Sequence, residues 1–220
     1  MLFVRKNIMA FTGLFLCIFL VVHLGGNLIL LLPSETAHGL YNSYSAKLGG
    51  NIFIRVVSIF LYLSILLHTV YAALITSKNN KSKGKKYLVN HTIESSSWTS
   101  QNMGLLGFSI LIFILIHLSN FWWRVKLGYG EIVPLDSNGL KDVYLITTEL
   151  FKNPYYVFIY VIFIIPLSMH IKHGFSSAFK TLGLYNLNYI RKVSIIGNMF
   201  SIIILIGFSV IPVAVYLRGL

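Results

Sequence analysis

The sequence predicts an all-α membrane protein built as a bundle of five transmembrane helices. Of its 220 residues, 56% are hydrophobic and only 11% are charged, whereas a soluble domain carries about a quarter charged residues. The apolar residues form five long runs separated by polar patches, so the bilayer is the expected solvent. The net charge of +12 comes from basic residues clustered at the ends of these runs, which argues against a nucleic-acid partner.

Each run has about the 20 residues that a helix needs to cross about 30 Å of hydrocarbon. We expect helices over residues of about 7–32, 52–76, 101–124, 154–179 and 193–217, with Pro33 ending the first. The connections leave no room for a soluble domain, so residues 1–220 are predicted to form a single transmembrane domain. The single cysteine, Cys17, lies within an apolar run, which excludes a disulfide framework and a thiolate metal site.

Two connections are predicted to form short helices at the membrane surface. Residues 34–48 start with Ser34, a residue type that is typical of helix N-caps. Residues 139–152 carry several apolar side chains that could rest on the bilayer. Within the fourth run, Pro166 frees the carbonyl of Ile162 and is expected to kink the helix.

The distribution of basic residues predicts the orientation. With the N-terminus inside, the inner segments hold eleven Lys and Arg residues and the outer segments hold seven. The cluster at residues 78–86 makes this orientation the expected one, with the N-terminus in the cytoplasm and the chain in the cytoplasmic membrane. The basic loop at residues 78–100 is either a docking surface for a partner subunit or an attractor of anionic lipid, and both interpretations remain open.

One histidine lies within each of the first four runs: His23, His68, His117 and His170. An ionisable side chain in hydrocarbon is costly, so each one indicates a functional site. His23 and His117 fall in the later halves of outward-running helices, and therefore in the outer leaflet. His68 and His170 fall in the later halves of inward-running helices, and therefore in the inner leaflet.

Each depth thus holds two histidines from different helices. A haem iron with one imidazole on each face requires that arrangement, so the spans predict the pairs His23–His117 and His68–His170. The alternative for any single membrane histidine is an interhelical hydrogen bond or a position in a proton path.

Two glycines occupy matching positions on the first and third helices. Gly13 precedes His23 by ten residues, and Gly107 precedes His117 by ten residues. Because ten helical residues rise about 15 Å, both glycines are expected near the depth of the inner pair. They either clear space for a flat macrocycle or ease ordinary helix packing.

The remaining histidines fit the pattern less well. His38 and His91 lie in connections, where a solvated loop residue is the simpler interpretation. His173 is three residues past His170 and faces a similar direction, so spacing alone leaves open which of the two would bind iron.

Over essentially its whole length, the chain resembles the single-subunit, five-helix, dihaem cytochrome b that anchors complex II, the succinate:menaquinone and fumarate reductases. The matching stretches are AFTGLFL at residues 10–16 leading to His23-Leu, LLH ending at His68, LGF at residues 106–108 leading to His117-Leu, and HIKHGF from His170 followed by FKTLG from Phe179. The ordered set of four motifs is specific, although each motif alone is weak.

This resemblance implies two haems b, held by His23 with His117 and by His68 with His170. It favours His170 over His173 because the family's fourth ligand stands four residues before a glycine, here Gly174. It also implies a flavoprotein subunit and an iron–sulfur subunit as partners and menaquinone as the membrane substrate. The chain itself would carry out no chemistry on succinate.

One position departs from the family pattern. Some dihaem members carry a glutamate two residues before the fourth ligand and use it in a transmembrane proton path, but this chain has Ser168 there. That proton path is therefore in doubt, and protons are expected to exchange near the membrane surfaces.

Further site residues are predicted near the two surfaces. The inner haem propionates need cations or hydrogen-bond donors, and the candidates are Lys180, Ser97, Trp98 and Gln101. A quinone is expected at the outer surface, near Asn27, His38, Tyr41 and Trp122, with His38 as the proton exchanger. The simpler interpretations are a positive-inside anchor for Lys180 and an interfacial aromatic belt for Tyr41 and Trp122.

Two other functions remain open at this point. The chain could be a dihaem cytochrome b of another oxidoreductase, such as the membrane subunit of a hydrogenase or a formate dehydrogenase. It could also be a haem-free transporter whose histidines relay protons. No acidic residue lies deep within a predicted helix, which disfavours the transporter.

Overall fold

A computed structural model describes residues 2–82, 98–184 and 186–219. Within these ranges the chain is helical and contains no strand. Five helices are long and apolar enough to cross a membrane, namely Phe3–Leu31, Ile52–Asn79, Met103–Leu127, Pro154–Thr181 and Leu187–Arg218. The predicted all-α chain with five candidate membrane spans is therefore confirmed.

The elements follow one another along the chain with short connections. They are α1 (Leu2–Asn27) continued by a 3-10 turn (Leu28–Leu31), α2 (Ser34–Gly50), α3 (Ile52–Ser82), α4 (Trp98–Gln101), α5 (Met103–His117) continued by a π-helical segment (Leu118–Trp123), α6 (Arg124–Leu127), α7 (Val143–Lys152), α8 (Pro154–Thr181) and α9 (Leu187–Arg218).

The last span begins earlier than the sequence pattern suggested. It starts at Leu187 because the side chain of Asn186 accepts hydrogen bonds from the backbone N–H groups of Asn188 and Tyr189. The second span likewise runs on to Ser82, past the predicted end near residue 76. In both cases polar residues extend a helix beyond the apolar run that marks the membrane.

Both predicted surface helices are present as α2 and α7. The expected cap of α2 is wrong, however, because Pro33 is the N-cap residue and Ser34 is the first helical residue. The carbonyl of Pro33 accepts from the N–H groups of Thr36 and Ala37. By contrast, α7 has a side-chain cap, since Asp142 accepts from the N–H of Leu145 at 2.9 Å.

Four of the spanning helices form a ring. Around it, α1 packs against α3, α3 against α5, α5 against α8, and α8 against α1. The helices on the two diagonals, α1 with α5 and α3 with α8, lack the close backbone packing of neighbours in the part of the chain that the structure describes. The fifth span, α9, packs mainly against α8 outside the ring, so the centre of the ring is left to side chains from diagonal helices.

The buried core and the exposed surface fit a chain in lipid. A tightly packed cluster joins α1, α7, α8 and α9, and includes Leu24, Phe151, Tyr160 and Ile204. Many large apolar side chains elsewhere are exposed. In water such a surface would promote aggregation, whereas in a bilayer it contacts the acyl chains of the lipid. Arg218 ties the end of α9 to α1 by donating to the carbonyls of Leu30, Leu31 and Leu32.

Candidate functional site

The first predicted histidine pair lies across one diagonal of the ring. His23 on α1 and His117 at the end of α5 approach with ring centroids 5.6 Å apart and ring planes at 88°. Phe19 stacks on His23 at 5.2 Å, and Phe121 lies 5.2 Å from His117. The pair is thus enclosed by aromatic rings, and α5 turns into its π-helical segment directly after His117, a feature that is frequent at functional sites.

The second predicted pair lies across the other diagonal. His68 on α3 and His170 on α8 have ring centroids 6.1 Å apart and ring planes at 70°. Each pair therefore joins two helices whose backbones do not pack closely against each other. A bundle builds cofactor sites in this way, from side chains of facing helices that point into its core.

The separation within each pair fits two ligands of one metal ion. An imidazole nitrogen lies about 2 Å from the metal that it binds. Two imidazoles on opposite sides of one ion then have ring centroids about 6 Å apart, and the observed values are 5.6 and 6.1 Å. Within the described residues, no group of three or more His, Cys, Asp or Glu side chains is placed to hold a bare metal ion.

The two predicted glycines lie against the second pair. A Cβ added to Gly13 would be 3.2 Å from Cε1 of His68, and a Cβ added to Gly107 would be 3.9 Å from Cε1 of His170. Both residues thus stand at the depth that the helical rise gave them, one beside each imidazole. Gly13 lets α1 approach His68 closely, since an added Cβ would force the imidazole or its surroundings to shift by a few tenths of an ångström.

Thr12 orients the imidazole of His68. Its hydroxyl donates to the carbonyl of Ile8 at 2.8 Å and lies 3.2 Å from Nδ1 of His68. The same hydroxyl also lies 3.1 Å from the carbonyl of Met9, so with its proton directed to a carbonyl the oxygen can accept from Nδ1 when that nitrogen is protonated. The lone pair is then on Nε2, which is the tautomer that a metal ligand needs when its other nitrogen is held by a hydrogen bond.

Two other imidazoles have ring nitrogens with no protein partner. Nδ1 of His117 and Nδ1 of His170 are buried without a hydrogen bond in the described part of the chain. Leaving a buried polar atom unpaired costs about 1–3 kcal/mol. Both atoms belong to the predicted pairs, and no described protein group fixes the tautomer of either imidazole.

The structure separates His170 from its neighbour His173. His170 points to His68, whereas His173 lines a groove with Met169, Lys172 and Ser176 on another face of α8. Ser168 points to the fifth span, where its hydroxyl donates to the carbonyl of Ser201 at 2.9 Å. Ser168 therefore joins α8 to α9, at the position where some members of the resembling family carry a glutamate.

The propionate candidates remain predictions. Lys180 lies exposed in the last turn of α8, and Trp98 and Gln101 are exposed in α4. Ser97 lies outside the described residues. Of these candidates, Trp98 contributes to the same groove as His173.

Two of the quinone candidates are connected to the first pair. The side-chain amide of Asn27 lies 3.5 Å from Nδ1 of His23 and donates to the His23 carbonyl at 2.7 Å. The hydroxyl of Tyr41 donates to Oδ1 of Asn27 at 3.2 Å. Burial raises the pKa of Tyr41 to about 12, so this phenol keeps its proton and acts as a hydrogen-bond donor. The three residues form a polar chain from α2 to the first pair.

His38 belongs to a separate polar cluster between α2 and α7. Its Nε2 lies 2.8 Å from Oδ2 of Asp142, and its ring stacks on Tyr144 at 4.9 Å. Asn42, which is fully buried, donates to Oδ1 of Asp142 at 2.9 Å and to Asp136 at 3.1 Å. Because an ionised carboxylate only accepts hydrogen bonds, Nε2 of His38 is the donor in this contact.

The carboxylate of Asp142 is held ionised by this cluster. Burial acts to raise its pKa, but hydrogen bonds from Asn42, the Leu145 N–H and His38 together lower the pKa below its ordinary value. Spacing in sequence gave no sign of this partner of His38, because 104 residues separate the two. The aspartate before an apolar run was at most recognisable as a helix cap.

Trp122 does not join these residues. It packs edge-on against Tyr62 of α3 with ring centroids 5.9 Å apart, which fits the interfacial aromatic interpretation. The sequence also gave no indication of Thr12, nor of Asn120, whose amide donates at 3.0 Å to the hydroxyl of Tyr160 beside His117.

Comparisons of the chain with protein-family models, with curated proteins and with solved structures found no match. The interpretation of this site therefore depends on its own geometry.

Proposed function

We propose that the chain is a dihaem cytochrome b and serves as the membrane anchor of a succinate:quinone oxidoreductase. The observation that carries this proposal is the pair of imidazoles across each diagonal of a four-helix ring, at two depths. On α1, the ten residues from Gly13, beside His68, to His23 correspond to about 15 Å along the helix. The two pairs are therefore stacked across the membrane rather than side by side.

In this proposal, His23 with His117 and His68 with His170 hold two haems b, which when bound supply reversible one-electron transfer. Thr12 fixes the tautomer of His68, and Gly13 and Gly107 leave room beside the second pair. The aromatic rings around the first pair exclude water and lower the local polarity, which together with ligation sets the potential of such a site.

Proton exchange is assigned to the end of the bundle that carries α2 and α7. Tyr41 and Asn27 offer hydrogen-bond donors next to His23, and His38 with Asp142 offers a group that takes up and releases a proton. These residues suit a membrane quinone, whose two carbonyls gain protons as they gain electrons. We propose that this end faces the outside of a cytoplasmic membrane and that menaquinone reacts there.

The partners belong to the same proposal. A flavoprotein subunit would oxidise succinate or reduce fumarate, and an iron–sulfur subunit would exchange electrons with the second pair. These partners are supported by the sequence resemblance. They are also supported by basic residues on the same predicted side of the membrane as the second pair, such as Lys78 and Lys180. A dihaem subunit of a hydrogenase or formate dehydrogenase would use the same histidine geometry.

The test is haem quantification on the purified complex, with each of the four histidines changed to alanine in turn. We expect two equivalents of low-spin haem b per chain, and the loss of one from every variant. The matched controls are His173→Ala and His38→Ala, which retain both. A chain that carries no haem, or a control that loses haem as readily as the four variants, would refute the proposal. Co-purification of a flavin-containing subunit then distinguishes complex II from the other oxidoreductases.

A further inference from the structure

Away from both histidine pairs, a groove opens on one side of α8. Its volume is about 560 Å³, within the range of small-molecule sites. It is lined by residues of α4, α8 and α9, namely Trp98, Thr99, Met169, Lys172, His173, Ser176, Ser194 and Asn198. The α8 members are spaced i, i+3, i+4 and i+7, so they share one face of the helix.

This face differs from the face that carries His170. Successive residues of an α-helix are rotated by about 100° around the helix axis. The mean direction of the four α8 residues in the groove is therefore rotated by about 110° from the direction of His170. Along the same stripe toward the other end of α8 lie Phe158, Ile162 and Ile165, which are 66%, 44% and 42% exposed. The groove is therefore the polar end of an apolar, lipid-facing stripe.

The chemistry of the groove favours an anion. Seven of its eight side chains have an N–H or O–H group that can donate a hydrogen bond, and none of these lining residues is acidic. Lys172 supplies a positive charge, and Lys180 lies near enough to interact electrostatically with His173. A ligand that only accepts hydrogen bonds and carries negative charge complements this set.

We propose that this groove binds the phosphate group of an anionic phospholipid. The phosphodiester would accept from Lys172, His173 and Asn198, while the acyl chains would lie along Phe158, Ile162 and Ile165. Basic pockets between transmembrane helices bind anionic headgroups in this manner. The inference concerns a different face of α8 from the imidazole pairs and does not require haem.

The test is native mass spectrometry of the full chain released from lipid nanodiscs, comparing retained phosphatidylglycerol with retained phosphatidylcholine. Selective retention of phosphatidylglycerol is expected. Lys172→Gln should lower its occupancy about fivefold, the equivalent of about 1 kcal/mol for one basic residue at a membrane surface. The matched control is Lys192→Gln, which removes the same charge from an exposed position outside the groove and should leave occupancy unchanged.

A second variant keeps the test valid if Lys172→Gln fails to fold. Asn198→Leu removes a donor without a change in charge, and should lower occupancy at least about threefold. Equal retention of phosphatidylcholine, or an equal loss in Lys172→Gln and Lys192→Gln, would overturn the proposal. So would displacement of phosphatidylglycerol by an equal concentration of inorganic phosphate, because the site would then recognise the free ion rather than the lipid.

Discussion

Replacing Gly13 with alanine gives a sharp test of the second histidine pair. The added Cβ would lie 3.2 Å from Cε1 and 3.6 Å from Nδ1 of His68. Comfortable contact between carbon atoms begins at about 3.5 Å, so the imidazole or the α1–α3 packing must give by about 0.3 Å. This shift uses more than half of the about 0.5 Å of displacement that a binding site tolerates, and it also strains the hydrogen bond between His68 and Thr12.

The expected loss of haem affinity follows from two opposing effects of the added methyl group. Alanine favours a helix over glycine by about 0.8–1 kcal/mol, so α1 itself should remain at least as stable. Overpacking costs about 1–3 kcal/mol, and this cost is concentrated at His68. We expect the affinity for the haem held by His68 and His170 to fall about 5- to 30-fold, the equivalent of about 1–2 kcal/mol.

The assay is haem stoichiometry after detergent purification, followed by reductive titration of the difference spectrum. Gly13→Ala should lower the occupancy of one haem while the occupancy of the other is unchanged. The matched control is Gly107→Ala, whose Cβ would lie at an ordinary contact distance of 3.9 Å from His170 and should retain both. Two haems in Gly13→Ala would refute the reasoning. Equal losses in the two variants would also refute it, since the contact with the imidazole would then not be the cause.

Two further predictions concern hydrogen bonds. Thr12→Val preserves shape but removes the acceptor for Nδ1 of His68, which makes the imidazole a weaker donor to iron. A potentiometric titration should show one haem potential raised by about 20–60 mV, and a shift of both haems, or of neither, would contradict the assignment. Asp142 has a lowered pKa, so its contribution to stability is present above its ordinary pKa of 3.8 and is lost as the pH falls through its folded value. When thermal unfolding is measured from pH 7 downward, the melting temperature of the parent chain should fall with pH, and that of Asp142→Asn should fall less. Equal pH dependence of the two melting temperatures would exclude Asp142 as the group responsible.

Some residues of the site were predictable because helical geometry alone places them. The depth of His23 and His117 depends only on where each apolar run starts and on the rise per residue. The same argument predicted that Gly13 and Gly107 lie near the depth of the second pair, which agrees with their distances to His68 and His170. These inferences needed no knowledge of which helices are neighbours.

Other residues were not predictable, because their partners are distant in sequence. Spacing could not separate His170 from His173, since both lie within one turn of α8, and only the position of α3 selects His170. Asp142 reaches His38 across 104 residues. The contact of Trp122 with Tyr62 depends on how the helices pack against each other.

The sequence by itself determined the number of candidate spans, their approximate bounds and the two depths at which histidines occur. The physical reason is that transfer of apolar side chains into lipid depends on local composition and needs no partner helix. Only the tertiary structure decided the ring of α1, α3, α5 and α8, the position of the two predicted imidazole pairs across its diagonals, and the groove beside His173. Those features arise from packing between helices, and many arrangements of the same five spans would satisfy the hydrophobic pattern equally well.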